Sequence, residues 1–174
     1  MEKKTVYVLD TTAFIARWPL YSPIDAKLVT TENVIQEVRD QYSREGLELA
    51  TILGRIEVIN PPDKYLTMIR ERARREGLDK TLSLADLSIV AIALYLLDQQ
   101  NNVTIVTDDY KLQNIAAKLG IEFTPLRTRG IREIITYTKR CTACGYTPSS
   151  SSEEICPVCG SPLRAIRVRK TTKK

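Results

Sequence analysis

The chain has 174 residues, 43% of them apolar and 27% charged, with a net charge of +5. That length allows one ordinary domain plus a small satellite module, in the composition range of soluble globular proteins. It contains no histidine, which excludes the commonest general base, the usual nucleophilic triads and histidine-based metal sites.

In chain order, Met1-Glu2-Lys3-Lys4 runs directly into a strand-like stretch at 5–9, with no signal-peptide pattern. A cytoplasmic protein is expected. Further β-rich runs fall at 28–30, 56–59, 103–107 and 121–124. Helical patterns fill 11–17, 31–40, 43–54, 62–76, 83–99 and 109–119. Strands alternating with helices predict an α/β fold, a parallel sheet covered by helices on both faces. Pro61-Pro62 punctuates a strand-to-helix turn, and Gly120 is placed to end a helix. The longest uncharged apolar run, 87–97, is too short to span a bilayer and reads as a core helix. No membrane association is expected.

After Pro125 the composition changes. Residues 1–126 carry 15 Lys/Arg against 18 Asp/Glu, whereas 127–174 carry 11 against 3. The body is therefore at −3 and the remainder at +8, a distribution that suits a polyanion bound by the basic part. The expected organisation is a body over 1–126, a basic linker over 127–136, and a small β module with a basic tail over 137–174. Ile134 to Tyr137 reads as the strand entering that module, and Arg167 to Lys174 reads as a fraying end.

Five carboxylates stand where a site is expected. Asp10 ends the first strand and Asp108-Asp109 follow the strand 103–107. Ligands of open parallel sheets collect beyond the carboxyl ends of the strands. Asp86 lies near the start of a helix that is apolar nearly all round, where an isolated charge is costly unless a cation joins it. Glu37, on a helix after a strand, completes the set. Each acid also has a local reading: Asp10, Asp108 and Asp109 as helix N-caps, Ser83 with Asp86 as a capping box, Glu37 as a solvated charge. Together they suit Mg²⁺ or Mn²⁺, which need several convergent oxygens. Thr107 and Ser83 stand beside them as possible donors to the carboxylates or as ordinary local hydrogen-bonding residues.

All four cysteines lie within 141–159, as Cys141-x-x-Cys144 and Cys156-x-x-Cys159 with eleven residues between, and Gly145 and Gly160 follow the pairs. Two matched knuckles predict a closed tetrahedral Zn²⁺ site that is structural, not catalytic. Disulfides are the rival reading, disfavoured in a cytoplasmic chain. Arg127, Arg129, Arg132, Lys139, Arg140, Arg164, Arg167, Arg169 and Lys170 flank the module, with Tyr137 and Tyr146 as stacking candidates. They read as an RNA-docking surface or as a plain solvated basic face.

An Asp after the first strand, a helical Glu, an Asp opening a buried helix, and Thr107-Asp108-Asp109 after a later strand resemble the signature of the PIN-domain nucleases. Asp109 fits the Thr-x-Asp position and Asp108 is its neighbour. Leu82-Ser83-Leu84-Ala85-Asp86-Leu87, Thr107-Asp108-Asp109-Tyr110 and Gln113-Asn114, with the ribbon following the nuclease, resemble the short archaeal form of the NIN-one-binding endonuclease family of ribosome maturation. That resemblance implies a metal-dependent endoribonuclease that cleaves precursor small-subunit ribosomal RNA within a pre-ribosomal particle to form the mature 3′ end. It also implies Mg²⁺ or Mn²⁺ held by Asp10, Asp86 and Asp109 with Glu37 assisting, and products with a 5′-phosphate and a 3′-hydroxyl. The other readings are a PIN-type toxin nuclease acting on tRNA or mRNA, a DNA-directed nuclease, and a non-catalytic RNA-binding assembly factor.

Overall fold

The structure, a computed structural model, describes residues 5–75, 81–149 and 153–171. Five short strands form one parallel sheet: β1 (Thr5–Leu9), β2 (Lys27–Thr30), β3 (Ile56–Val58), β4 (Asn102–Val106) and β5 (Glu122–Thr124). Their order is β3-β2-β1-β4-β5. The chain builds outward from β1 to β3 and then restarts on the other side of β1 with β4. Strand order therefore reverses between β1 and β4, the position where open α/β sheets form their ligand crevice.

Among the described residues, six α-helices cross between the strands: α1 (Thr11–Ile15), α2 (Glu32–Glu37), α3 (Gln41–Ile52), α4 (Asp63–Arg75), α5 (Leu84–Asp98) and α6 (Tyr110–Leu119). The central strands and α5 form the core. Val6, Val8, Leu9, Val29, Ile105 and Val106 are buried with Ile89, Val90, Ala91, Ile92 and Ala93 of α5. Burial on nearly every side explains why α5 is apolar all round rather than striped. α4 runs antiparallel to it, with the Tyr65 hydroxyl donating to Asp98 at 2.7 Å. None of the described helices is long and apolar enough to cross a membrane.

Two helices stop earlier than their patterns suggest. α1 ends at Ile15, because Arg17 turns left-handed at φ 51° and a 3₁₀ turn follows at Trp18–Leu20. α2 ends at Glu37, because Val38 is extended and Asp40 caps the next helix by accepting from the Ser43 amide at 2.9 Å. α4 is described to Arg75, so residue 76 of the expected helix lies outside the described residues.

Beyond the sheet, β6 (Glu133–Cys141) and β7 (Leu163–Thr171) pair antiparallel over nine residues each. β6 begins at Glu133, inside the stretch 127–136 expected to be linker, because Ile134 and Ile135 have strand partners in Lys170 and Arg169. The basic end is also different from expectation. Residues 167–171 belong to β7, where Arg167 and Val168 pair opposite Tyr137 and Thr136. Residues 172–174 lie outside the described residues.

Candidate active site and metal centre

β1 and β4 lie side by side with Leu9 opposite Val106, so the residues that follow them emerge together. The Asp10 amide donates to the Val106 carbonyl at 3.2 Å. Asp10 caps α1 by accepting from the Thr11 amide at 2.7 Å. Its second carboxylate oxygen accepts from the Thr107 hydroxyl at 2.7 Å and from the Thr12 hydroxyl at 3.2 Å. Both threonines also accept: Thr107 from the Asp109 amide at 3.0 Å and Thr12 from the Asp108 amide at 3.1 Å. Two hydroxyls thus lock the Asp10 carboxylate to the start of the loop that presents Asp109. The N-cap reading and the site reading of Asp10 are compatible, since capping occupies only one face of the carboxylate.

Asp86 arrives from the start of α5. Its carboxylate accepts from the Ser83 amide at 2.8 Å while the Ser83 hydroxyl accepts from the Asp86 amide at 3.1 Å, a reciprocal capping box. Ser83 therefore does ordinary capping work, whereas Thr107 donates to a carboxylate of the site. Asp109 caps α6 through the Lys111 amide at 2.6 Å.

Asp10 and Asp86 both feel the charge of Asp109. Burial pushes the Asp10 carboxyl above its ordinary value, against the pull of its hydrogen bonds, and the charge of Asp109 pushes it further. Burial likewise raises Asp86, and both Asp10 and Asp109 add repulsion. An acid set whose members resist joint ionisation is one that a cation would relieve. Among the described residues, however, the acids do not close into a tight ligand cage.

Two acids of the expected set stand apart. Glu37 is the exposed last residue of α2. Asp108 turns its carboxylate away to the segment after β5, accepting from the amides of Leu126 at 2.9 Å, Arg127 at 2.9 Å and Thr128 at 3.1 Å. The Arg127 side chain adds an ion pair at 3.3 Å. Burial works against ionisation there, but these donors prevail and hold Asp108 at about 2. Some buried polar residues near the site carried no sequence signal beyond polarity in an apolar setting. Ser88 donates to the Ala85 carbonyl at 2.7 Å and accepts from Thr31 at 2.7 Å, and Thr30 donates to the Leu9 carbonyl at 3.0 Å.

The four cysteines form the second centre. All four sulfurs lie within 4.8 Å of one another, the one described group of three or more metal-ligating side chains that converges this tightly. The two knuckles match: the Gly145 amide bonds the Cys141 carbonyl at 3.0 Å and the Gly160 amide bonds the Cys156 carbonyl at 2.9 Å. Both glycines are left-handed, at φ 80° and 71°, a turn that side chains resist. Hydrogen bonds from Ser161, aided by Cys141, lower Cys159 to about 6. For Cys144 the Tyr146 amide pulls down, yet burial and the other sulfurs push it up to about 12. Four crowded sulfurs cannot all ionise unaided, and a soft divalent cation at their centre fits this donor set. Cys141 and Cys156 are the only buried side chains among the described residues of 133–171, so there the ribbon's apolar side chains are at most partly covered.

A family model described as the PIN domain of ribonuclease matches residues 7–96, from β1 into α5. The chain belongs to the PIN-domain ribonuclease family. It is 34% identical over 164 residues to "Endoribonuclease Nob1" of Pyrococcus abyssi, covering 94% of each chain. To "Ribonuclease VapC3" of Aeropyrum pernix it is 47% identical over 123 residues, 71% of this chain and 87% of that one. It is also 29% identical over 96 residues to "20S-pre-rRNA D-site endonuclease NOB1" of Saccharomyces cerevisiae, 55% of this chain and 21% of that one.

PIN nucleases use divalent metals, and the oxygen-only donors at the β1–β4 crevice suit Mg²⁺ or Mn²⁺. The basic residues of the ribbon divide between its two faces. Arg140 and Arg164 are directly opposite on one face, and Tyr137 faces Arg167 on the other, all four exposed. Arg129 and Arg132 are exposed below the ribbon, and Arg127 is shared with Asp108. Lys139 donates to the Glu153 carbonyl at 2.7 Å, and the Tyr146 hydroxyl to the Glu153 carboxylate at 3.2 Å. Arg169 and Lys170 occupy β7 register positions opposite Ile135 and Ile134.

Proposed function

We propose that this protein is a cytoplasmic endoribonuclease that cuts precursor small-subunit ribosomal RNA, within a pre-ribosomal particle, to form its mature 3′ end. The observation that carries the reading is the gathering of Asp10, Asp86 and Asp109 at the reversal of strand order, joined to a basic cysteine ribbon. Similarity to an archaeal Nob1 over nearly the whole chain supports it, as does similarity to a yeast 20S-pre-rRNA D-site endonuclease.

Asp10, Asp86 and Asp109 would hold Mg²⁺ or Mn²⁺, with Glu37 assisting. Bound there, such an ion would lower the pKa of a coordinated water and offset charge at the phosphate. Asp10 is kept in one rotamer by Thr107 and Thr12, so the site is organised before RNA arrives. With no histidine in the chain, proton handling falls to carboxylates and water. The cysteines would hold one structural Zn²⁺, and Arg129, Arg132, Arg140, Arg164 and Arg167 meet phosphates while Tyr137 offers a stacking face.

The 47% identity to a VapC ribonuclease favours a second reading, a toxin-type nuclease acting on tRNA or mRNA. Offering the full chain an RNA spanning the small-subunit 3′ junction, a tRNA and an unstructured mRNA at equal concentration separates the two. Preferential single-site cutting at the junction is expected. Preferential tRNA or mRNA cleavage would favour the toxin-type reading.

A further inference from the structure

The stretch 126–135 joins the sheet to the ribbon and gains strand partners only from Glu133 onward. Its backbone is nevertheless held at five residues by three side chains from one short segment. Asp108 receives the amides of Leu126, Arg127 and Thr128 and, at 3.2 Å, the Thr128 hydroxyl. Gln113, fully buried, accepts from the Ile131 amide and donates to the Thr107 carbonyl, both at 2.9 Å. Asn114 accepts from the Ile135 amide at 2.7 Å and donates to the Ile135 carbonyl at 2.9 Å. That two-bond exchange is what a neighbouring strand residue would provide. Gly130 fits between Pro125 and Gln113 at φ 70°, where a Cβ would come within 3.2 Å of the proline ring.

The same segment carries Asp109, which caps α6 immediately before these residues. We propose that Asp108, Gln113 and Asn114 are positioning residues that clamp the ribbon base to the active-site loop, so that the protein fixes the distance between ribbon-bound RNA and the bond cut. A free ten-residue stretch would let its ends range over roughly 15–20 Å. The clamp removes that freedom, and the cut falls at one phosphate because the ribbon holds the RNA at one register. The inference rests on the endoribonuclease reading and deepens it: Asp108 acts through the chain it holds rather than on the substrate.

The test uses the full chain with Asn114→Ala, which removes both bonds to Ile135 and none to the acids, and Asn114→Asp, which keeps only the acceptor. Amide hydrogen exchange and end-labelled cleavage mapping are read together. In Asn114→Ala, exchange at Ile135 should quicken about tenfold or more while β1, β4 and α5 keep their protection. Cleavage should spread from one phosphate to its neighbours, with KM raised about fivefold or more and kcat within about twofold. Asn114→Asp should fall between the two. A single wild-type cut with wild-type KM, despite quickened exchange, would overturn the proposal. So would loss of protection throughout the sheet, which would make Asn114 a general folding residue. If the wild-type chain cuts no RNA, the nuclease reading has failed and the spacing role with it, whereas the exchange data still report whether the ribbon base is held.

Discussion

Replacing Thr107 with valine tests whether the Asp10 carboxylate is organised in the way the hydrogen bonds describe. Thr107 is fully buried, so no water can take over from its hydroxyl. The substitution is nearly isosteric and removes two bonds: the donation to Asp10 at 2.7 Å and the acceptance from the Asp109 amide at 3.0 Å. A hydrogen bond to a charged group contributes about 1.5–3 kcal/mol and a neutral one about 0.5–1.5 kcal/mol. Asp10 retains Thr12 at 3.2 Å, so a total near 2–4 kcal/mol is expected at neutral pH, a fall in Tm of roughly 5–15 °C. Thr107 also opposes the rise that burial imposes on the Asp10 carboxyl, so the valine variant should titrate Asp10 at still higher pH. The sign follows from linkage. A carboxyl raised above its unfolded value contributes stability below that unfolded value and loses it as pH rises through the folded value. The Thr107 bond favours the ionised form, so its removal should cost most at neutral pH and less in acid. Thermal melts at pH 7 and pH 4, with NMR titration of the Asp10 carboxyl, measure both effects. Thr107→Ser should stay close to wild type. An unchanged Tm and titration in Thr107→Val, or equal damage from serine, would refute the reasoning.

Other outcomes follow from the same geometry. Asp10 and Asp86 are both raised, so Mn²⁺ should increase Tm at pH 7.5 and less near pH 4.5, and Asp10→Asn should lose the increase; melts with and without metal check this. Asp108 is depressed to about 2, so its stabilisation, about 1–2 kcal/mol, is present above the unfolded carboxyl value and is lost as pH falls through 2. Acid titration of stability in Asp108→Asn should therefore be flatter than in wild type below about pH 4. Cys156→Ser should release bound zinc and remove the ribbon's amide protection while leaving that of α5 intact, measured by metal analysis and hydrogen exchange. Arg140→Ala with Arg164→Ala should reduce the slope of log affinity against log salt by about 1.4 on single-stranded RNA.

The five sheet strands were legible because alternation of apolar runs with helical patterns is a local signal, and β1 to β5 fall within a residue or so of where it places them. The crevice followed from strand ends alone: Asp10 and Thr107-Asp108-Asp109 sit where a parallel sheet presents its loops. The cysteine knuckles were equally plain from spacing. What stayed hidden was tertiary. Asp108 and Asp109 are adjacent and chemically identical; the resemblance set Asp109 at the Thr-x-Asp position, but that Asp108 anchors the 126–128 amides could be seen only in the fold. Strand β7 was masked by its charge, since Arg167 on an exposed ribbon face looks like an unpaired basic tail until β6 is seen opposite it. Glu37 has no folded-state cue at all, standing exposed at a helix end whose stop was set by Val38.

The most direct test of the central claim is cleavage of an RNA spanning the small-subunit 3′ junction by wild type and Asp10→Asn, each with Mn²⁺ or with EDTA. One metal-dependent cut by wild type, leaving a 5′-phosphate and a 3′-hydroxyl and abolished in Asp10→Asn, is the predicted result. Cleavage that persists in Asp10→Asn, or tight binding at the junction without any cut, would contradict it.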